Sequence, residues 1–143
     1  MARPTRSRKL IHPPSMAGFK PFGMPYGIRD SVALQLDEYE SFKLVNYDNL
    51  SQDEAAVIMG VSRPTFTRIY NIALKKIAIA FTEGLAIDIG GGSVEFEKEW
   101  YKCIRCFKLI EGLDQHTKCE NCPSFGNKEL IRINQSSNNT KKK

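Results

Sequence analysis

The chain has 143 residues and a mass of 16.2 kDa, enough for one compact domain with a stapled annexe and too little for a large catalytic fold. With 41% hydrophobic and 26% charged residues it can bury a core of ordinary composition, and no stretch reaches the roughly 20 apolar residues needed to span a bilayer, so no membrane partner is expected. The formal net charge is only +5, but it comes in blocks: six cations and no acid over residues 1–29, seven acids against Lys43 alone over 30–60, and four unopposed cations over 61–80. Basic surface concentrated in this way points to a polyanion.

Residues 1–29 form the first segment. Pro4, Pro13, Pro14, Pro21 and Pro25, with Gly18, Gly23 and Gly27, interrupt both helix and ladder. The prediction is an extended, loop-like basic arm that carries Arg3, Arg6, Arg8 and Lys9, with a mobile tip. Phe19, Phe22, Met24 and Tyr26 are expected to pin its second half to the core. The opening residues lack the apolar stretch of a signal peptide, which implies a cytoplasmic protein.

Residues 30–83 read as the main domain. Asp37 followed by Glu40 resembles a cap with a reciprocal carboxylate, predicting a first helix over about 38–46 that buries Tyr39, Phe42 and Val45 and leaves Glu38 and Lys43 in water. Ser51 with Glu54 is a capping box and predicts a second helix over about 52–59. Gly60 suits the left-handed turn that ends it, Val61 plugs the corner, and Ser62 caps a third helix with Pro64 in its first turn, running to about Phe81.

These pieces make a helix-turn-helix. Ala55 and Ala56 allow close helix approach, while Phe66, Ile69, Ala73 and Ile77 form an inward stripe of about 80° on the third helix. Roughly opposite fall Pro64, Thr67, Arg68, Asn71 and Lys75. This polar face suits a major groove: Arg68 can fork onto guanine, Asn71 can pair with adenine, threonine methyls such as those of Thr65 and Thr67 can touch thymine, and Arg63 and Lys75 can hold phosphate. A free helix N-terminus adds donors and partial positive charge. Double-stranded DNA is the expected partner, with nucleoid association as its consequence. A homodimer on two half-sites is compatible with so short a reading element.

Residues 84–99 follow Gly84 with two alternating pieces, Leu85-Ala86-Ile87-Asp88-Ile89 and Val94-Glu95-Phe96, around Gly90-Gly91-Gly92. A short β-hairpin is predicted. The three glycines read as a turn rather than a phosphate cradle, because no Gly-Lys-Ser/Thr follows.

Residues 100–134 hold Cys103-x2-Cys106 and Cys119-x2-Cys122, separated by twelve residues. In a reducing compartment this spacing favours two knuckles on one tetrahedral ion over disulfides. Zinc is the expected metal, with thiolate-ligated iron second. Four sulfurs close the shell, so the site is expected to be structural. Tyr101, the segment Phe107-Lys108-Leu109-Ile110, and Leu130, Ile131 and Ile133 suggest the strands of a zinc-ribbon-like module. His116 and His12 read as bystanders. No nucleophile has a neighbouring base, so no enzyme is expected. The remainder, 135–143, is predicted to be a disordered polar and basic tail.

Leu50-Ser51-Gln52-Asp53-Glu54-Ala55-Ala56 and Met59-Gly60-Val61-Ser62-Arg63-Pro64-Thr65-Phe66 resemble the region-four helix-turn-helix of bacterial sigma factors. With Arg3-Pro4, Phe19-Lys20-Pro21, Gly23, Pro25, Asp37-Glu38-Tyr39-Glu40 and Glu83-Gly84, the chain to about Gly92 is similar to a family of small, largely uncharacterised bacterial and archaeal proteins predicted to bind DNA. Ser41-Phe42-Lys43 and Ala73-Leu74-Lys75-Lys76 depart from that family's usual Ala-Leu-Arg and Ala-Arg-x-Lys. The resemblance implies DNA binding and names no target. The fold expected overall is mainly α, and the function that of a transcriptional regulator; the alternative is an interaction module docking to RNA polymerase through the metal-bearing segment.

Overall fold

The computed structural model describes residues 7–25, 30–96, 98–104, 107–112 and 130–133. Their order is β1 (Arg8–Leu10), β2 (Gly18–Phe19), β3 (Ser31–Leu34), α1 (Leu36–Phe42) continuing as a π-helical segment (Lys43–Tyr47), α2 (Gln52–Met59), α3 (Arg63–Glu83), β4 (Ala86–Ile89), β5 (Val94–Phe96), β6 (Trp100–Cys103), β7 (Leu109–Glu111) and β8 (Leu130–Arg132). Three helices and three small sheets, about 40% helix and 25% strand among the described residues, correct the expectation of a mainly α fold.

The strands differ from expectation chiefly in their partners. β4 runs parallel to β3, with Ser31 opposite Ala86, and antiparallel to β2, with Phe19 opposite Ile87. β5 runs parallel to β1, with Arg8 opposite Val94. The predicted hairpin of β4 on β5 is therefore absent. Alternation along a strand marks which face is buried and is silent on the neighbour. The glycine loop also carries the chain away from β4: the Gly90 N–H donates to the Leu34 carbonyl, and the Gly91 carbonyl accepts from the Leu36 N–H. Gly91 and Gly92 both have positive φ, a conformation glycine enters without steric cost.

The N-terminal segment is consequently woven into the sheets. Leu10, not the aromatics, anchors it, with 1% exposure; Phe22 is 98% exposed, and Phe19 and Met24 are also exposed. Tyr26 lies outside the described residues.

α3 ties two core clusters together. Near its start, Phe66 packs with Leu44, Ala55, Ala56 and Met59. Further along, Ala73 and Ala80 pack with Leu34 and Ile87, on β3 and β4. All three helices lie within the β3-to-β4 crossover, so the parallel pair holds both ends of the helical segment. The third sheet has the order β7-β6-β8, antiparallel throughout. Buried Trp100 meets the His12 ring edge-on at 5.1 Å between centroids, which joins this sheet to the chain just after β1. No zinc module is shown among the described residues, which include Cys103 alone of the four cysteines.

Candidate nucleic-acid interface

The helix pair is built by local chemistry. Ser51 has extended backbone, and its Oγ accepts the Glu54 N–H at 3.1 Å; the Glu54 carboxylate meets the Ser51 hydroxyl at 3.1 Å instead of reaching the backbone. Gly60 adopts φ 67°, ψ 34°, the left-handed conformation in which the chain leaves α2. Val61 donates to the Ala56 carbonyl at 3.0 Å and packs against the Phe66 cluster. Ser62 then caps α3, accepting the Thr65 N–H at 3.4 Å and donating to Thr65 Oγ1 at 2.9 Å. Ala55, Ala56, Met59 and Phe66 are all buried, so the two helices meet through small residues and one ring.

The face of α3 opposite that contact is open. Pro64, Thr67, Arg68, Asn71, Ile72, Lys75 and Lys76 line a shallow concavity along it. Arg68, Asn71 and Lys75 are exposed, and Thr65 and Thr67 half-buried. Of the four cations on α3, two are engaged. Lys76 Nζ donates to both Glu38 oxygens at 2.8 and 2.9 Å and to the Ala33 carbonyl at 2.8 Å. Arg63 contacts Asp53 at 2.8 Å and donates from Nε to Thr67 Oγ1 at 3.3 Å. Arg68 and Lys75 have no ion pair among the described residues, so α3 presents them as available charge.

The cations of β1 divide in the same way. Arg8 turns inward, its side chain 12% exposed and its Nε 3.7 Å from Asp37. Lys9 is exposed, and its stem passes 3.8 Å from where a Cβ on Gly60 would sit, which places it beside the turn between α2 and α3. Arg3 and Arg6 lie outside the described residues.

α1 supplies the counter-charges and differs most from expectation. It begins at Leu36, with Gln35 in the cap position, and the Gln35 N–H donates to Glu38 Oε2 at 3.1 Å. Glu38, expected in water, is buried against Lys76. Asp37 is buried beside Arg8, and Glu40, with 0% exposure, has Lys43 at 3.5 Å and, among the described residues, no hydrogen-bond partner for either oxygen. Burial pushes the carboxyls of Asp37 and Glu40 above the usual range, with Arg8 and Lys43 respectively acting in the opposite direction.

Two further residues join the candidate face, Gln52 and Asp53. Thr67 Oγ1 donates to Gln52 Oε1 at 2.7 Å, so the first turns of α2 and α3 are linked by Gln52–Thr67 and Asp53–Arg63. Their only sequence signal is position, since both follow the Ser51 cap; the cross-helix partners become visible only once Gly60 has set the turn.

Of the four cysteines, Cys103 is described, and Cys106, Cys119 and Cys122 lie outside the described residues, as does His116. Cys103 is buried at the end of β6. Its N–H donates to the Lys108 carbonyl at 3.1 Å and its carbonyl accepts the Phe107 N–H at 2.9 Å, with Phe107 at φ 60°. The backbone thus reverses tightly just after the first cysteine. Such a reversal suits a thiolate knuckle.

A family model described as "Protein of unknown function DUF134" matches residues 1–97. A UPF0251 protein of Clostridium acetobutylicum is 40% identical over 135 residues, covering 92% of this chain and 91% of its own length. A UPF0251 protein of Chloroherpeton thalassium is 35% identical over 130 residues, covering 91% and 85%. One from Methanothermobacter thermautotrophicus is 37% identical over 125 residues, covering 87% and 65%. No solved structure matches the chain. The chain belongs to this UPF0251/DUF134 family, which has members in bacteria and archaea.

Proposed function

We propose that this chain is a sequence-specific DNA-binding protein that regulates transcription, with α3 lying in the major groove. One observation carries the reading: the capped turn at Gly60 to Ser62 holds α3 by its Phe66 side and leaves Arg68, Asn71 and Lys75 exposed on the other, uncommitted among the described residues. A guanidinium and a carboxamide one helical turn apart match the bidentate patterns of guanine and adenine. Lys75, and Lys9 beside the turn, supply phosphate contacts that set register without reading sequence. No enzymatic role follows from these groups, and the compartment consistent with the proposal is the cytoplasm, at the nucleoid.

Fluorescence anisotropy on genomic fragments, repeated over a range of salt, tests the reading. If five to eight phosphates are neutralised, affinity falls with a log–log slope of about −4.5 to −7 and one fragment is preferred. A flat salt response with no preferred fragment would falsify it.

We further propose that Cys103, Cys106, Cys119 and Cys122 hold a structural zinc ion. Buried Cys103 at its backbone reversal and the repeated two-residue spacing support the assignment, and four thiolates leave no open position for substrate. Metal analysis of the purified protein should give about one ion per chain; a ratio well below one contradicts it.

A second reading has its own support. Ile104, Phe107 and Ile131 are exposed apolar side chains in and beside the β7-β6-β8 sheet, suited to a protein partner such as RNA polymerase. Loss of polymerase association on Ile131→Ser, with DNA binding retained, would favour a mixed role.

A further inference from the structure

Asp53 is an acid on the face that the DNA-binding reading turns toward a polyanion. Its side chain is 75% exposed, and it is held 2.8 Å from Arg63, whose side chain is 46% exposed. The other engaged cation of α3, Lys76, is paired inward with a nearly buried carboxylate, as a structural tie. The Arg63 pair is different: it lies in solvent at the start of α3, beside Pro64, Thr67 and the half-buried Gln52. Exposed pairs of this kind contribute little to stability. Its consequence is therefore to be sought at the surface it modifies.

We propose that Asp53 is a specificity-determining residue: it holds Arg63 as a neutral, fixed pair and keeps it from gripping phosphate indiscriminately. An unrestrained arginine at the first position of α3 would add its charge to that of the helix N-terminus and attract any DNA backbone. With one terminal nitrogen on Asp53 and Nε on Thr67, the guanidinium keeps a defined direction for its remaining donors. Thr67 is itself fixed by Gln52, so the orientation is set jointly by both helices. Around this face, among the described residues, random DNA then meets Arg68, Lys75 and Lys9 as loose cations, and Arg63 contributes where the groove accepts its fixed fork. This inference deepens the DNA-binding reading and rests on it.

The test is a double-mutant cycle on the full chain, using anisotropy over a salt series with a mixed-sequence duplex and with the preferred genomic fragment. Asp53→Asn should steepen the log–log salt slope on the mixed-sequence duplex by about 0.9, the equivalent of one more phosphate, and reduce the preference for the genomic fragment. In an Arg63→Ala background the same substitution should change neither. An unchanged slope for Asp53→Asn overturns the proposal, and so does an equal gain in both backgrounds, which would reflect net charge alone. If the wild-type chain binds neither duplex, the DNA-binding reading itself fails and the latch goes with it; wild-type binding with a null cycle removes only the latch.

Discussion

Strand β1 and helix α3 are both basic, yet each spends its cations in two ways. Arg8 is folded against Asp37 whereas Lys9, one residue later, faces out beside Gly60. Lys76 is clamped by Glu38 and the Ala33 carbonyl whereas Lys75, one residue earlier, lies exposed on the open face. On the strand the period of two separates the pair, and on the helix the 100° step does. In both places the acids come from α1. A run of positive charge thus becomes a binding surface only at the positions whose phase escapes those carboxylates.

The comparison breaks most sharply at Arg8. Arg8→Ala leaves Asp37 buried without its counter-ion and should cost about 2–4 kcal/mol of stability, read as a lower midpoint of thermal unfolding, with DNA affinity per folded molecule nearly unchanged. The pH dependence has a definite sign. The carboxyl of Asp37 is raised above 3.8 in the fold, so the folded state holds its proton more tightly than the unfolded chain does. That contribution favours folding in acid and is lost as pH rises through the raised value. Removing Arg8 raises the value further, so the variant's deficit should be larger near neutrality than at about pH 4. A pH-independent deficit would show that the ion pair matters through packing alone.

Arg68→Ala should do the reverse. Stability is unaltered because the side chain is exposed, while discrimination at one base pair falls by about 1–3 kcal/mol, measured by competition among single-substitution duplexes. Glu40→Gln probes the acids that α1 leaves unsatisfied. Its buried carboxylate has no hydrogen-bond partner among the described residues, and burial outweighs the opposing charge of Lys43 at 3.5 Å, so neutralising it should stabilise the protein by about 1 kcal/mol at neutral pH, with the gain shrinking as acid protonates the wild-type group. Smallest is Lys9→Ala, which should weaken all DNA sequences alike and make the salt slope shallower by about 0.9. A sequence-dependent loss would move Lys9 from backbone to base contact.

How much of this was legible in the sequence depended on how far each determinant reaches along the chain. The limits of α2 and the start of α3 follow from Ser51, Gly60, Ser62 and Pro64, each acting within four residues of itself, and the structure places them where those residues predict. Strand partners are non-local: β1 meets β5 across more than eighty residues, so alternation found the strands and missed the sheets. Helical phase puts Glu38 in solvent because it is blind to the partner, Lys76, 38 residues away. The arm's anchors escape local reading for a related reason. Phe19 and Phe22 are the larger apolar side chains, but the pairing of β1 with β5 carries Leu10 into the core instead. On the candidate face, Arg68, Asn71 and Lys75 could be read from helical phase alone, whereas the engagement of Arg63 by Asp53 required the turn geometry.

The central claim is that the open face of α3 meets DNA. Amide chemical-shift mapping of the isotope-labelled chain, titrated with its preferred duplex, tests it most directly. The account predicts perturbations concentrated over Ser62–Lys75 and at Lys9, with Glu38 and the β7-β6-β8 sheet little affected. Shifts confined to that sheet or to the exposed aromatic residues before β3, with α3 silent, would contradict it.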